Sequence, residues 1–565
     1  MPLLSPTTQA ARPPRTLPQL LRARNVSFAA SLLSMVCGGT LYLFSAYSTT
    51  LGYTQTQTNL IASSGGLGIY LSAPIMGALT DRYGPRRTAT LSAFCLFSGY
   101  GCMALAYRAS LSAALMAICY ASVGLGSAAG YNAALTTNVR NFDPRMHGLV
   151  VGTSVSLFGL SAFIFSQLSK LFYYPVAQHS EAVGSSSGPT AIDTFGFLLF
   201  LALATGGANL VASMGLQDVS KELGRAVVGT ISPGSMGNNS TESSVLIGEE
   251  DRQSDSEPDD EGAAAAEVTT APTSLFHRPD AWILWLAFLS LSGTGLMYIN
   301  NIGAIILALS PPHTTTTLLP RAVVTNSIAS TQAHHVSLIS IFNCLGRITT
   351  GVASDAAYSR YATPRLVFLL GAAGVMFVAQ VVVTFLPESI TLSTSTATLI
   401  PPTHLLTLAT TLVGFSYGSL FSTAPVIVSK WFGVAGFGTH WGWFQWGPAV
   451  GGQVLNMVFG VVMDSRTPKS ADHADGTHNT SKQHPQCTGT HCFRPAFILS
   501  ASLTAFAIGC LVVLCVRKPW AAQGYDAVPA RRGRRDGGNE VDAGGVDRRS
   551  GGRIRRIVGE EVPEG

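Results

Sequence analysis

The chain has 565 residues, of which 47% are hydrophobic and 12% charged, with a formal net charge of +5. Soluble globular chains carry roughly 25% charged residues, so this composition excludes an ordinary soluble enzyme or nucleic-acid-binding module and makes a lipid bilayer the main partner. Lipid offers the backbone no hydrogen bonds, so whatever crosses it must be helical or a closed barrel.

In chain order, residues 1–25 contain Pro13, Pro14 and Pro18 and lack an apolar core, which predicts a short polar tail and no cleaved signal peptide. Apolar runs of about 20 residues, the length of a membrane-crossing helix and about twice that of a barrel strand, follow at 27–48, 59–79, 88–107, 111–136, 147–170 and 194–214. A second set lies at 281–309, 334–354, 365–386, 403–427, 437–463 and 495–516. The reading is an all-α membrane protein of twelve transmembrane helices, with one six-helix bundle over 26–216 and another over 281–518. Between them, 217–280 turns polar and holds the acidic run Glu249-Glu250-Asp251, Asp255, Glu257 and Asp259-Asp260-Glu261. Low hydrophobicity and like charges there predict a disordered linker. Residues 519–565, rich in Gly, Arg and Asp, predict a disordered tail.

Placing both termini on one side leaves seven of the 35 Lys and Arg on the other: Arg108, Lys170, Arg321, Arg466, Lys469, Lys482 and Arg494. By the positive-inside rule the richer side is the cytoplasm. The short loops agree, since Arg82, Arg86 and Arg87 follow span two and Arg140 and Arg145 follow span four. Seven cysteines fall in apolar spans, where a thiol is a small hydrophobe. Cys487 and Cys492 fall in the non-cytoplasmic loop before span twelve and form a candidate disulfide. Asn479-Thr480-Ser481 on the same loop is a candidate glycosylation site.

The stretch Gly77-Ala-Leu-Thr-Asp81-Arg82-Tyr83-Gly84-Pro85-Arg86-Arg87 closes span two, and Gly351-Val-Ala-Ser-Asp355 closes span eight, the second span of the second half. Equal placement in both halves suggests parallel repeats of the kind secondary transporters use. Gly77 lets helices approach closely. Asp81 can accept backbone or arginine hydrogen bonds, making a lock that holds one conformation and breaks in the other. Gly77, Asp81, Arg82, Gly84, Arg86 and Arg87 resemble the loop motif of the major facilitator superfamily, which implies that fold for both halves. The second copy has Ala356 and Ala357 where arginine would stand, so the lock at Asp355 is expected to be weaker.

Charge inside a span is a functional signal by default, and Arg347 lies within span eight, one helical turn beyond Asn343. An arginine facing a watery cavity can hold a carboxylate through two parallel hydrogen bonds; a structural ion pair, with Asp355 as a partner, is the alternative. The segment is similar to the eighth span of the monocarboxylate transporters, in which an acid precedes a substrate-binding arginine by four residues. Asn343 stands at the acid position and cannot carry a proton, so an organic anion such as a monocarboxylate is a candidate solute without the proton-coupled mechanism of that family. A second resemblance rests on Arg140-Asn141-Phe142-Asp143-Pro144-Arg145-Met146-His147-Gly148-Leu149-Val150-Val151-Gly152 and Gly159-Leu160-Ser161-Ala162. This stretch looks like that of nodulin-like transporters, including fungal monocarboxylate-transporter homologues, and implies a vacuolar membrane, with the plasma membrane as alternative.

Tyr298, Asn300 and Asn301 in span seven join Arg347 and Asn343 as expected lining residues, because amides in mid-span need partners in the bundle or a cavity. His334, His335 and His440 can titrate, which keeps the proton as a candidate coupling ion. The expectation is a secondary active or facilitative transporter of a small solute working by alternating access. A non-transporting membrane sensor signalling through the acidic linker is the alternative. The sequence holds no metal-ligand cluster, nucleophile–base arrangement or phosphate-binding loop, so no enzyme activity, metal or cofactor is expected.

Overall fold

A computed structural model provides the structure, which describes residues 15–53, 55–175, 190–231, 277–309, 321–387, 403–467 and 487–517. Asn479, the acidic run and the C-terminal tail lie outside the described residues.

Among the described residues, twelve helices are long and apolar enough to cross a membrane. The first half comprises Leu17–Gly38, Gln55–Tyr83, Pro85–Arg108, Ala113–Asn141, His147–Ser169 and Thr194–Gly215. The second comprises Pro279–Leu309, Arg321–Tyr361, Arg365–Thr384, Thr403–Phe432, the pair Phe437–Phe444 and Trp446–Arg466, and Arg494–Arg517. Large apolar side chains such as Ile75, Phe94, Ile118 and Met457 stand exposed on the outside of the bundle, as a lipid-facing surface requires.

Span one starts earlier than the sequence suggests. Pro18 occupies the first turn of the helix, where its missing N–H would have no partner in any case, and the Thr16 backbone N–H donates to Gln19 Oε1 at 3.0 Å. A proline expected to mark a tail therefore opens the span. Beyond Gly38 the span tightens into a 3₁₀ segment, Gly39–Ala46. Gly39 packs so closely on span five that a Cβ would overlap the Phe158 carbonyl.

Span eleven is broken at Gln445. Pro448 has no N–H to give the Phe444 carbonyl, so the helical ladder loses a rung at the break. Between spans two and three the chain reverses at Gly84 alone, at φ +86°, and Pro85 opens span three. That left-handed turn suits glycine.

Two elements depart from the expected loops. Helix Ser220–Ile231 occupies the start of the stretch read as a disordered linker. Leu223 and Ala226 are half-buried while Lys221, Glu222 and Arg225 are exposed, and Asn141 anchors the approach by donating to the Gln217 carbonyl at 2.7 Å and accepting from Val219 N at 2.9 Å. Between spans five and six, Tyr173–Pro175 pairs antiparallel with Thr190–Ile192.

The halves meet through span two against span eleven and span five against span eight. Both contacts depend on glycine at the arginine-rich ends. A Cβ on Gly77 would overlap the Gly438 carbonyl, and one on Gly351 would overlap the Gly148 carbonyl. Helices in lipid gain little from apolar burial, so close backbone approach supplies the packing.

Candidate functional site

A cavity of about 450 Å³ lies between the two halves. Spans one, two, four and five line it from one half and spans seven, eight, ten and eleven from the other. Among the described residues Arg347 is the one charged side chain in its wall, and it is 6% exposed. Its Nη1 donates across the halves to the Val155 carbonyl of span five, while its Nε is buried without a partner. Gly159 makes room for this arrangement, since a Cβ there would sit 2.7 Å from Nη1. Asn343, one turn away, leaves its Oδ1 without a hydrogen bond. The spare N–H of the arginine suits an anion, whereas the unpaired Asn343 Oδ1 is an acceptor and calls for a hydrogen-bond donor on the solute.

Aromatic rings supply the rest of the wall. Phe158 meets Tyr131 edge-on at 5.0 Å and Tyr42 at 5.9 Å in the first half, and Tyr417 lies 4.9 Å from Phe421 in the second. Tyr70 adds a further ring. Gln445, at the break in span eleven, donates to Asn132 Oδ1 at 3.3 Å and so links the halves as well.

Of the expected lining residues, the cavity brings together Arg347, Asn343 and Asn300. Tyr298 and Asn301 are elsewhere. The Tyr298 hydroxyl pairs with Thr410 Oγ1 at 2.7 Å, which also meets His335 Nδ1 at 2.7 Å. Asn301 donates to the Met297 carbonyl and to Asn456 Oδ1, at 2.8 and 2.9 Å. Helical spacing explains the division: Leu296, Ile299 and Asn300 form the cavity face of span seven, whereas Tyr298 and Asn301, three apart, share a face turned into the second half. The sequence reading missed Tyr42, Tyr70, Tyr131, Tyr417 and Gln445, because an aromatic or amide in an apolar run carries no mark that separates core from cavity.

Each repeated aspartate caps a helix of the opposite half. Asp81 accepts from Thr439 N and Thr439 Oγ1, both at 2.7 Å, and from Gly438 N at 3.2 Å, at the start of span eleven. Asp355 accepts from Gly148 N at 2.9 Å and Leu149 N at 2.7 Å, at the start of span five. A carboxylate is well placed there, where unpaired N–H groups and the helix dipole favour negative charge.

Their arginines come from other spans. Asp81 pairs with Arg140 of span four at 2.7 Å, and Arg140 also donates to the Val434 and Ala435 carbonyls at 3.2 and 2.5 Å. Asp355 pairs with Arg365 at the start of span nine, which donates to the Pro144 carbonyl at 2.6 Å. Arg365 thus provides the guanidinium that Ala356 and Ala357 do not. The turn arginines face away from Asp81. Arg86 donates to the Ser213 and Met214 carbonyls at the end of span six, at 3.3 and 2.9 Å. Arg82 and Arg87 lie 5.4 and 6.0 Å from the Tyr83 ring.

Cys487 and Cys492 are joined as a disulfide. His491 Nε2 lies 3.9 Å from each sulfur, but sulfurs bonded to each other are not thiolate ligands for a metal. The loop is tied to the end of span seven by Gly489 N donating to the Ala308 carbonyl at 2.7 Å.

A family model described as Nodulin-like matches residues 24–183. Among similar proteins, the probable transporter mch1 of Neurospora crassa is 30% identical over 92% of this chain and 94% of its own length. The probable transporter MCH1 of Yarrowia lipolytica is 26% identical, over 86% and 92%. In solved structures, the major facilitator transporter FucP in its outward conformation superposes with a TM-score of 0.51 at 13% identity, covering 87% of this chain and 99% of that one. The proton:xylose symporter XylE gives 0.52 at 9% identity, covering 89% and 96%. The fold is therefore that of the major facilitator superfamily, and the chain belongs to the family of the fungal mch1 probable transporters.

Proposed function

We propose that this transporter carries a small organic anion by alternating access, with Arg347 as the residue that binds the anion. The observation that carries the reading is the buried, partly unsatisfied guanidinium in a cavity wall that has no other charge among the described residues. Among the described residues no carboxylate lines the cavity to neutralise it, so the solute is the natural counter-ion.

The arginine-rich ends are taken as cytoplasmic. On that assignment the contacts of Asp81 and Asp355 seal the cytoplasmic side, and the two aspartates with Gly77 and Gly84 form the lock that must open for release. The locking charges are then Arg140 and Arg365, with Arg86 serving the first half internally. XylE is a proton:xylose symporter; a coupling proton here would bind outside the described lining side chains, which include no Asp, Glu or His. The vacuolar membrane is the proposed location, with the plasma membrane as alternative.

The test is uptake of a panel of radiolabelled organic anions, organic cations and neutral sugars by purified protein in liposomes, compared with Arg347→Gln at equal reconstitution. Uptake confined to anions and lost in the variant supports the reading. Uptake of neutral or cationic solutes that survives in the variant overturns it.

A further inference from the structure

We propose that the cavity selects an amphipathic organic anion with a flat aromatic body over a short aliphatic acid, a reading that rests on Arg347 as the anion-binding residue. Size is the first argument. At roughly 30 Å³ per water, the 450 Å³ cavity holds about fifteen waters, several times what a three-carbon acid displaces. Such an acid would leave most of the wall wet and the aromatic rings without contact.

The arrangement of the wall is the second argument. Span eight lines the cavity from Val336 to Arg347, twelve residues that rise about 16 Å along the helix. Along it, apolar Val336 and Ile339 lie toward the outer end, and Asn343 and Arg347 lie toward the end sealed by Asp355. Span five runs alongside in the opposite sense, with Val155 at the level of Arg347 and Ala162 farther out. The cavity is therefore charged at its floor, with apolar Val336, Ile339 and Ala162 among the side chains above it.

The third argument is what fills the space between. Tyr42, Phe158 and Tyr131 form one aromatic wall, and Tyr417 and Phe421 form another from the opposite half. Rings from both sides give a planar body faces and edges to pack against, which an aliphatic chain uses less well. Because the two aromatic walls belong to different halves, a ring between them also touches both moving parts.

Cys344 reports occupancy, because its thiol is free and lines the cavity. The full-length protein is purified, and labelling of Cys344 by a sulfonate thiosulfonate reagent is followed by mass spectrometry of its peptide. The competing probes are 2-naphthoate, lactate and uncharged 2-naphthylmethanol. Saturable binding of radiolabelled 2-naphthoate is measured in parallel. The expected result is protection by 2-naphthoate at a concentration roughly tenfold or more below that of lactate, a difference of about 1.4 kcal/mol, with none from 2-naphthylmethanol. Tyr417→Leu should raise the half-protecting concentration of 2-naphthoate more than that of lactate. Lactate protecting as well as 2-naphthoate overturns the aromatic selectivity and leaves the anion reading standing. Protection by 2-naphthylmethanol that persists in Arg347→Gln overturns the anion reading itself. Free labelling of Cys344 at saturating 2-naphthoate, with no binding of the radiolabel, overturns the aromatic selectivity.

Discussion

Arg347 of span eight donates to the backbone carbonyl of Val155 in span five, so the charged side chain of the cavity wall is also a bond between the two halves. An anion that draws the guanidinium toward the cavity competes with that carbonyl. Solute binding and loosening of the span five–span eight contact then become one event, which is what a ligand must do to shift a conformational equilibrium.

Gly159 should be a positioning residue for this arginine. Its absent Cβ leaves the space that Nη1 occupies, at 2.7 Å. Gly159→Ala is expected to raise the KM for anion uptake by roughly tenfold, the equivalent of about 1.4 kcal/mol, while protein yield and membrane targeting stay near wild type. Gly159→Val should be worse. Equal KM in Gly159→Ala and wild type, measured in liposomes, would remove Gly159 from the account.

Asp81→Asn should favour opening of the arginine-rich end. The change removes the charge facing Arg140 and weakens acceptance from Gly438 N, Thr439 N and Thr439 Oγ1. Hydrogen bonds to charged groups are worth about 1.5–3 kcal/mol, so the closed state should lose on the order of 2 kcal/mol. Spin labels at the exposed positions Tyr83 and Val434, in a background without other reactive cysteines, should show a longer, broader distance distribution in the variant. Arg140→Ala should do the same.

The turn arginines should behave differently from Arg140. Arg86 binds the end of its own half at Ser213 and Met214. Arg86→Ala is therefore expected to lower the melting temperature by a few degrees, from the loss of about 1–2 kcal/mol of charge-assisted hydrogen bonding, without moving the spin-label distance. Arg82→Ala and Arg87→Ala should change stability by less than about 0.5 kcal/mol. A distance shift in any of these three variants as large as that in Asp81→Asn would show that the turn itself carries the lock.

Gly77→Ala should act on the same closure as Asp81→Asn, because a Cβ on Gly77 would overlap the carbonyl of Gly438, the residue whose backbone N–H donates to Asp81. The two changes should not add. A double-mutant cycle on the spin-label distance or on uptake rate is expected to show coupling of roughly 0.5–3 kcal/mol, as for groups in contact; strict additivity would mean that the glycine and the aspartate serve separate contacts.

Much of this molecule was legible in its sequence, and the boundary has a physical reason. The spans declared themselves because a bilayer demands long apolar runs. Arg347 stood out because such a run rarely tolerates a guanidinium, and Asp81 and Asp355 because they recur at equal positions. Partners from distant spans were invisible. Arg140, Arg365, Thr439 and Val155 meet their mates through contacts between spans, which leave no local period in the chain. The same holds for the tyrosines of the cavity, whose rings look like core until the two halves face each other. Asn300, Tyr298 and Asn301 had equal claims in the sequence, and only the rotation of span seven separated them.

The most direct test of an anion site at Arg347 uses Cys344 as the reporter and needs no knowledge of the solute. Two thiol reagents of similar size, one a sulfonate and one a trimethylammonium, are compared for their rate of reaction with Cys344, each normalised to its rate with a free thiol. A buried unit charge nearby interacts by several kcal/mol at a protein-like dielectric, so the account predicts a preference for the anionic reagent of roughly tenfold or more in the wild type. That preference should collapse in Arg347→Gln. A wild-type preference for the cationic reagent, or an anionic preference unchanged by Arg347→Gln, would contradict it.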